Sequence, residues 1–377
     1  MSDDQLTVED PRKNHPQLPV GDELLPPVEP PSAGFIIQLF VIPALIVLLI
    51  VSVWLAFNWL VRAASRPEDV VKGLEHGPSI ARWQRASELA DMLRNERFAK
   101  FKQDGKSADA LARILDREIL TAGMEEDDVE FRKYLARALG EFQVQEGTEV
   151  LVKAASTNRD PREQKVRDGA LQAIAVRAYN LQQLKPPQKI ENPEVETELL
   201  RLAQDEDPLI RFQAAYALGK IGTPAAVERL EVMVDDPDPD TRYNAAVALA
   251  YRGNVKAVET LAEMLDLEQH AAAVRDKDDK NIGFIRGSIV HTAIEAALAL
   301  AKENPQADLS PVVKSLEQIV DADSSELAKA HVPSQAQFDA RRALAILRGE
   351  SMESPQSKAP MRQSGRFPAN NNGSASL

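Results

Sequence analysis

The sequence predicts an all-α protein, an α-solenoid of about seven helical hairpins preceded by one transmembrane helix. Three observations carry that expectation. Residues 207–233 recur as residues 238–264, an offset of 31 with thirteen identities. An uncharged apolar run of 27 residues, Phe35 to Val61, lies near the N-terminus. The composition is 44% hydrophobic but only 5% aromatic, with Ala and Leu dominant. Such a chain suits helices packed through small side chains better than sheets, which want β-branched and aromatic residues.

Residues 1–33 hold seven prolines and seven acids against Arg12 and Lys13, with no apolar periodicity. They are expected to form a disordered acidic tail. Residues 34–62 follow as the membrane segment. As a helix, the run 35–61 would extend about 40 Å, against a hydrocarbon core of about 30 Å. Its nineteen Leu, Ile, Val and Phe residues outweigh Gln38, Ser52 and Asn58. Trp54 and Trp59 fall toward the interfacial end. Pro43 is tolerable because neighbouring groups or water can satisfy the freed carbonyl. The rival is a cleaved signal peptide, since Val61-Arg62-Ala63 offers small residues. However, the run is about twice a normal h-region and its leader is acidic. Arg62, Arg66, Lys72, Arg82 and Arg85 follow the span, and nothing basic lies between residues 14 and 34. The positive-inside rule therefore places the solenoid on the cytoplasmic side of a cell membrane and the tail outside.

Residues 63–77 read as a linker with a short helix, Ser65 as its N-cap and Pro67 in its first turn. Residues 78–349 read as helix after helix. Within the regular part, 207–267, Asp207 caps a helix that takes Pro208 in its first turn. Ile210, Ala214, Ala217 or Leu218 and Ile221 line one face. Gly222 takes the left-handed conformation that ends the helix. Thr223-Pro224 then starts a second helix whose Val227, Leu230 and Val234 return to the same core. One hairpin cannot bury its apolar face alone, so it stacks on the next. Weaker copies carry Arg82, Arg132 and Arg167 at the Arg211 position and Phe338, Ala340, Ala343 and Leu344 near the end. The stretch 284–320 fits in two registers. Residues 350–377 have no core-forming pattern and are expected to be disordered.

These motifs resemble HEAT repeats of the short bacterial type, the phycobilisome-lyase HEAT-like repeats, with an Asp-Pro start, an Arg, an Ala-x-x-Leu-Gly core and a Gly-x-x-x-Ala second helix. The resemblance implies a curved right-handed solenoid whose second helices line a concave protein-binding face. It is specific for fold and poor for function.

No constellation of catalytic type emerges from the residues, and no cofactor is expected. Cysteine is absent, which removes disulfides, thiolate metal sites and thiol nucleophiles. His15, His76, His270, His291 and His331 include no pair at helical spacing. Deoxyhypusine hydroxylases, enzymes of the repeat class, bind di-iron through His-Glu pairs in successive repeats; here Glu75-His76 is reversed and has no mate. "GKIGTP" at 219–224 follows a helix and lacks the Gly-Lys-Ser/Thr ending of a phosphate loop. Asp235-Asp236 and Asp278-Asp279 read as solvated loop acids. The net charge of −13 argues against nucleic acid, including the basic groove a DNA-repair relative would need.

Asp207, Arg211, Asp238 and Arg242 are expected to form a structural ladder of ion pairs between units. Glu228, Glu231, Lys256, Glu259 and Glu263 on the second helices, preceded by Glu194, Glu196 and Glu198, form the candidate protein-binding surface. The charged insertion 268–283 is either a contact loop or a solvated one. The expected function is a membrane-anchored, non-catalytic scaffold for a protein partner. A lyase-like or metal-dependent hydroxylase-like enzyme, or enzyme accessory, is the alternative.

Overall fold

Helix boundaries in this chain are set by a few residue types that repeat. In the computed structural model, residues 34, 37–64, 66–74, 79–268 and 281–350 are described. The acidic tail 1–33, most of the insertion 268–283, Glu75-His76 and the C-terminal tail from residue 351 lie outside them. The chain divides into two units, 1–65 and 66–377.

In the first unit, a π-helical turn, Ile37–Val41, leads into α1, Ile42–Ala64. The wide turn sits just ahead of Pro43, which has no N–H for the carbonyl one turn back and whose ring crowds it. Residues Ile37–Ala56 have a mean hydropathy of 2.9 and are not buried. That stretch is long and apolar enough to cross a membrane.

The second unit begins with α2, Pro67–Gly73, with Pro67 in its first turn as expected. Arg66 occupies the cap position without a side-chain bond, and Ser65 falls outside the described residues. There follow α3 (Ser79–Leu93), α4 (Ala99–Lys102), α5 (Gly105–Thr121), α6 (Glu126–Gly140), α7 (Thr148–Ser156), α8 (Gln164–Gln182) and α9 (Pro193–Leu202). The regular repeats are α10 (Pro208–Ile221) with α11 (Pro224–Met233), and α12 (Pro239–Ala250) with α13 (Val258–Leu265). The array ends with α14 (Ile282–Glu303), α15 (Ser310–Asp321), α16 (Ser324–Lys329) and α17 (Gln335–Leu347). No strand occurs among the described residues.

These helices form two layers. The first helices α3, α6, α8, α10, α12, α14 and α17 stack in chain order, and α5, α7, α9, α11, α13 and α15 form the second layer. All seven expected first helices are therefore present. The last has no second helix among the described residues, so the array closes on six pairs and one terminal helix. The core runs between the layers: Ile210, Ala214, Ala217, Leu218 and Leu230 have no exposed surface. In α17, Ala340, Ala343 and Leu344 are buried, but Phe338 is 57% exposed.

Two glycines show what the stacking requires. Gly222 adopts φ +65° and closes α10, its N–H donating to the Leu218 carbonyl, a conformation that L side chains resist. At Gly140, an added Cβ would lie 2.6 Å from the Ala173 Cα, so α6 and α8 touch backbone to backbone. Helix α14 also has the length and composition of a membrane span. Its Ile289, Val290, Ala293, Ala296, Ala297 and Leu300 are buried in the solenoid, so it is a core helix. That burial also decides the register left open by the sequence.

Candidate protein-binding faces

The Asp-Glu-Asp-Pro and Asp-Pro-Asp-Pro loops place two carboxylates with different tasks. Asp207 accepts from the Leu209 N–H at 2.9 Å and Asp238 from the Thr241 N–H at 3.0 Å, each capping its helix. The aspartates two residues earlier brace the loop, Asp205 accepting from the Asp207 N–H at 3.0 Å and Asp236 from the Asp238 N–H at 2.9 Å. These same two carboxylates receive the ladder arginines. Arg167 reaches Asp205 at 2.5 Å, and Arg211 grips Asp236 through two bonds of 2.8 Å. Arg211 also donates to the carbonyls of Asp205 and Glu206, at 3.0 and 3.1 Å.

Each arginine thus ties the loop before its own helix to the loop after its hairpin, stitching one unit to the next. The expected partners, Asp207 and Asp238, are caps; the pairing carboxylates are Asp205 and Asp236. The signal was in the sequence, since Asp205 and Asp236 also stand 31 residues apart. Asp236 is therefore no solvated loop acid: its side chain is 10% exposed. Burial acts to raise its pKa, but the bonds from Arg211 and the Asp238 N–H outweigh it and hold it below the ordinary value. Position 267 is Leu, so the next rung cannot repeat. Arg242 turns instead to Glu263, at 2.5 Å, while the Tyr243 hydroxyl donates to the same carboxylate at 3.2 Å.

That rung changes the candidate surface. Glu263 is clasped by Arg242 and Tyr243 and belongs to the ladder as much as to any surface. Glu231 accepts from the Asn254 side chain at 2.6 Å, bridging α11 to the turn before α13. Glu196 accepts from the Thr223 hydroxyl, and Glu198 holds Arg201 and the Ser156 hydroxyl. Glu194, Glu228, Lys256 and Glu259 stay exposed. Val232 and Val255 are also exposed there, at 59% and 51%. The second-helix face is thus a sparser and more apolar surface than an acidic stripe.

An open cleft of about 610 Å³ lies between the loops that join successive units, lined by Asn158, Gln164, Arg167, Arg201, Asp205 and Glu206. Its central charges, Arg167 and Asp205, are spent on each other. Among the described residues no three His, Asp or Glu side chains converge as a metal-ligand set. His291 lies 3.3 Å from Glu295 and 3.9 Å from Asp339 on the solenoid surface.

Comparison with known proteins gives the repeats a family. Residues 163–236 match the family described as HEAT repeats, covering α8 to α11 and their ladder. No curated protein matches the chain. Among solved structures, the chain is similar to an engineered protein at 18% identity and a TM-score of 0.33, covering 74% of this chain and 97% of that one. It is also similar to human deoxyhypusine hydroxylase in complex with glycerol, at 16% identity and a TM-score of 0.27, covering 75% of this chain and 96% of that one.

Proposed function

We propose, with a helical repeat protein of HEAT type as the premise, that this chain is a membrane-anchored scaffold that captures a protein partner and carries out no chemistry itself. The observation that carries the reading is the open second-helix face. There Glu228 and Glu259, one repeat apart, reach solvent together with Lys256, Val232 and Val255. Polar residues around exposed apolar ones make a surface that another protein can cover. The apolar stretch Ile37–Ala56 would hold that face at a bilayer, with the solenoid on the cytoplasmic side. Tethering raises the local concentration of whatever the face captures.

Two measurements test this. Alkaline carbonate extraction and protease protection of membranes from expressing cells should leave the chain in the lipid fraction with the solenoid cytoplasmic. Proximity labelling from the solenoid should return a partner set that the double variant Glu228→Lys, Glu259→Lys loses. Release by carbonate, or stoichiometric iron or zinc in the purified protein with turnover of a small molecule, would overturn the reading.

A further inference from the structure

The chain has five tyrosines and three tryptophans, and their placement is not even. Trp54 and Trp59 belong to the apolar N-terminal segment. Trp83, Tyr134, Tyr179 and Tyr216 instead fall on consecutive first helices, α3, α6, α8 and α10, and Tyr251 is the C-cap of the next, α12. Trp83 stacks on Tyr134 with ring centroids 6.0 Å apart. Lys220 bridges the next two rings, its Nζ 5.6 Å from the Tyr179 centroid and 5.2 Å from that of Tyr216. Tyr179 and Tyr251 are 41% and 52% exposed. Trp83, Tyr134 and Tyr216 are half-buried and pack in part against the core.

The cations beside the rings are unlike those of the ladder. The Arg137 guanidinium lies 5.5 Å from the Tyr134 ring. Arg252 donates to the carbonyls of Ala248, at 2.8 Å, and Gly219. Among the described residues, none of Arg137, Lys220 and Arg252 has an ion-pair partner, in a chain with an excess of thirteen negative charges. Lys133 is matched by Glu130 at 2.5 Å. Asp91 and Asp168 are acids close enough to act on Arg137, and Asp168 is bonded to the Gln172 amide at 3.0 Å. Burial lowers the pKa of Arg137, Lys220 and Arg252 and raises that of Asp168.

We propose that this face of the first-helix layer, from Trp83 to Tyr251, is a docking surface for an acidic, proline-bearing linear segment of a partner protein. The unmatched cations select the charge. The rings select the shape, because a polyproline II segment presents rigid apolar ridges to aromatic side chains at little entropic cost. Packed helices lie about 8–10 Å apart, so five of them offer about 40 Å. At about 3.1 Å per residue, a polyproline II segment of about 13 residues spans that length. The surface is separate from the second-helix face, so each can fail without the other.

Fluorescence anisotropy on the full-length protein in non-ionic detergent, at low salt, tests the proposal. The probe is a labelled peptide of alternating Glu and Pro, about 13 residues long to match the face, with alternating Lys and Pro and a single-stranded oligonucleotide as comparisons. Saturable binding of the Glu-Pro peptide alone is expected. Lys220→Glu and Arg137→Glu should each weaken it about tenfold, since each replaces an attraction by a repulsion. Tyr179→Ala, at a site 41% exposed, should weaken it about threefold with the thermal midpoint held near that of the parent. Glu228→Lys on the other layer should leave it unchanged. The proposal is overturned by a Glu-Pro peptide that does not bind, by variants that bind like the parent, or by an oligonucleotide that binds more tightly.

Discussion

Arg177 and Arg286 are both buried, and replacing each by methionine is expected to move stability in opposite directions. Arg177, with no exposed surface, donates to the Glu146 carbonyl at 2.9 Å, the Thr148 hydroxyl at 2.8 Å and the Leu139 carbonyl at 2.5 Å. Burial lowers its pKa to about 10, so it remains charged at neutral pH and keeps its three acceptors satisfied. Arg177→Met leaves those acceptors buried and alone, at a cost of about 2–4 kcal/mol. Arg286 stands at the ladder position of α14, but among the described residues its Nε and Nη1 have no hydrogen-bond partner. A buried charge without a partner is unfavourable, and Met fills nearly the same volume. Arg286→Met is therefore expected to raise the midpoint of thermal unfolding, and differential scanning calorimetry on the two variants checks both signs.

At the level of helices, the contact between α6 and α8 sets the tolerance. The Cβ of any residue at position 140 would meet the backbone and side chain of Ala173 within 2.7 Å, and neither is a flexible tip that can swing away. Gly140→Val must separate the two helices along their shared core. A loss of about 3 kcal/mol or more is expected from overpacking, larger than the 1 kcal/mol or so by which a helical glycine is disfavoured against alanine. Urea unfolding of the variant measures it; a variant as stable as the parent would show that the helices can part without cost. By contrast, Thr223→Ala at the start of α11 removes a cap bond of 3.2 Å to the Ala226 N–H and the hydroxyl's bond to Glu196, together worth about 1–2 kcal/mol.

Across the whole molecule, the ladder makes stability depend on acid. Burial works to raise the pKa values of Asp205 and Asp236, but bonds from Arg167, Arg211 and the loop N–H groups leave both below the ordinary value. A carboxylate depressed in the folded state contributes stability that is present above its unfolded pKa, about 4, and is lost as pH falls through the folded value. Thermal midpoints should therefore drop steeply below about pH 4. The variant Arg211→Met, which removes one rung, should lie below the parent at pH 7 and converge toward it in acid. Asp168 works the other way. Burial raises its pKa, so its contribution is most favourable in acid and is lost as pH rises.

The sequence by itself determined the helices, their caps and their order, because those depend on neighbours within a few residues or on a repeat of fixed length. Asp207, Gly222 and Thr223-Pro224 do what their local chemistry dictates. The apolar spacing names Ala214, Leu218 and Leu230 as core without any knowledge of the stacking. Tertiary structure alone decided which charges meet. Arg211 finds Asp236 across 25 residues and Arg242 settles on Glu263, removing an acid from the predicted surface. Tertiary structure also gathered tyrosines from separate repeats onto one face. Their side chains share no sequence period, since each first helix presents its ring from a different turn, and only the stacking of one helix on the next sets Trp83 on Tyr134 and Lys220 between Tyr179 and Tyr216.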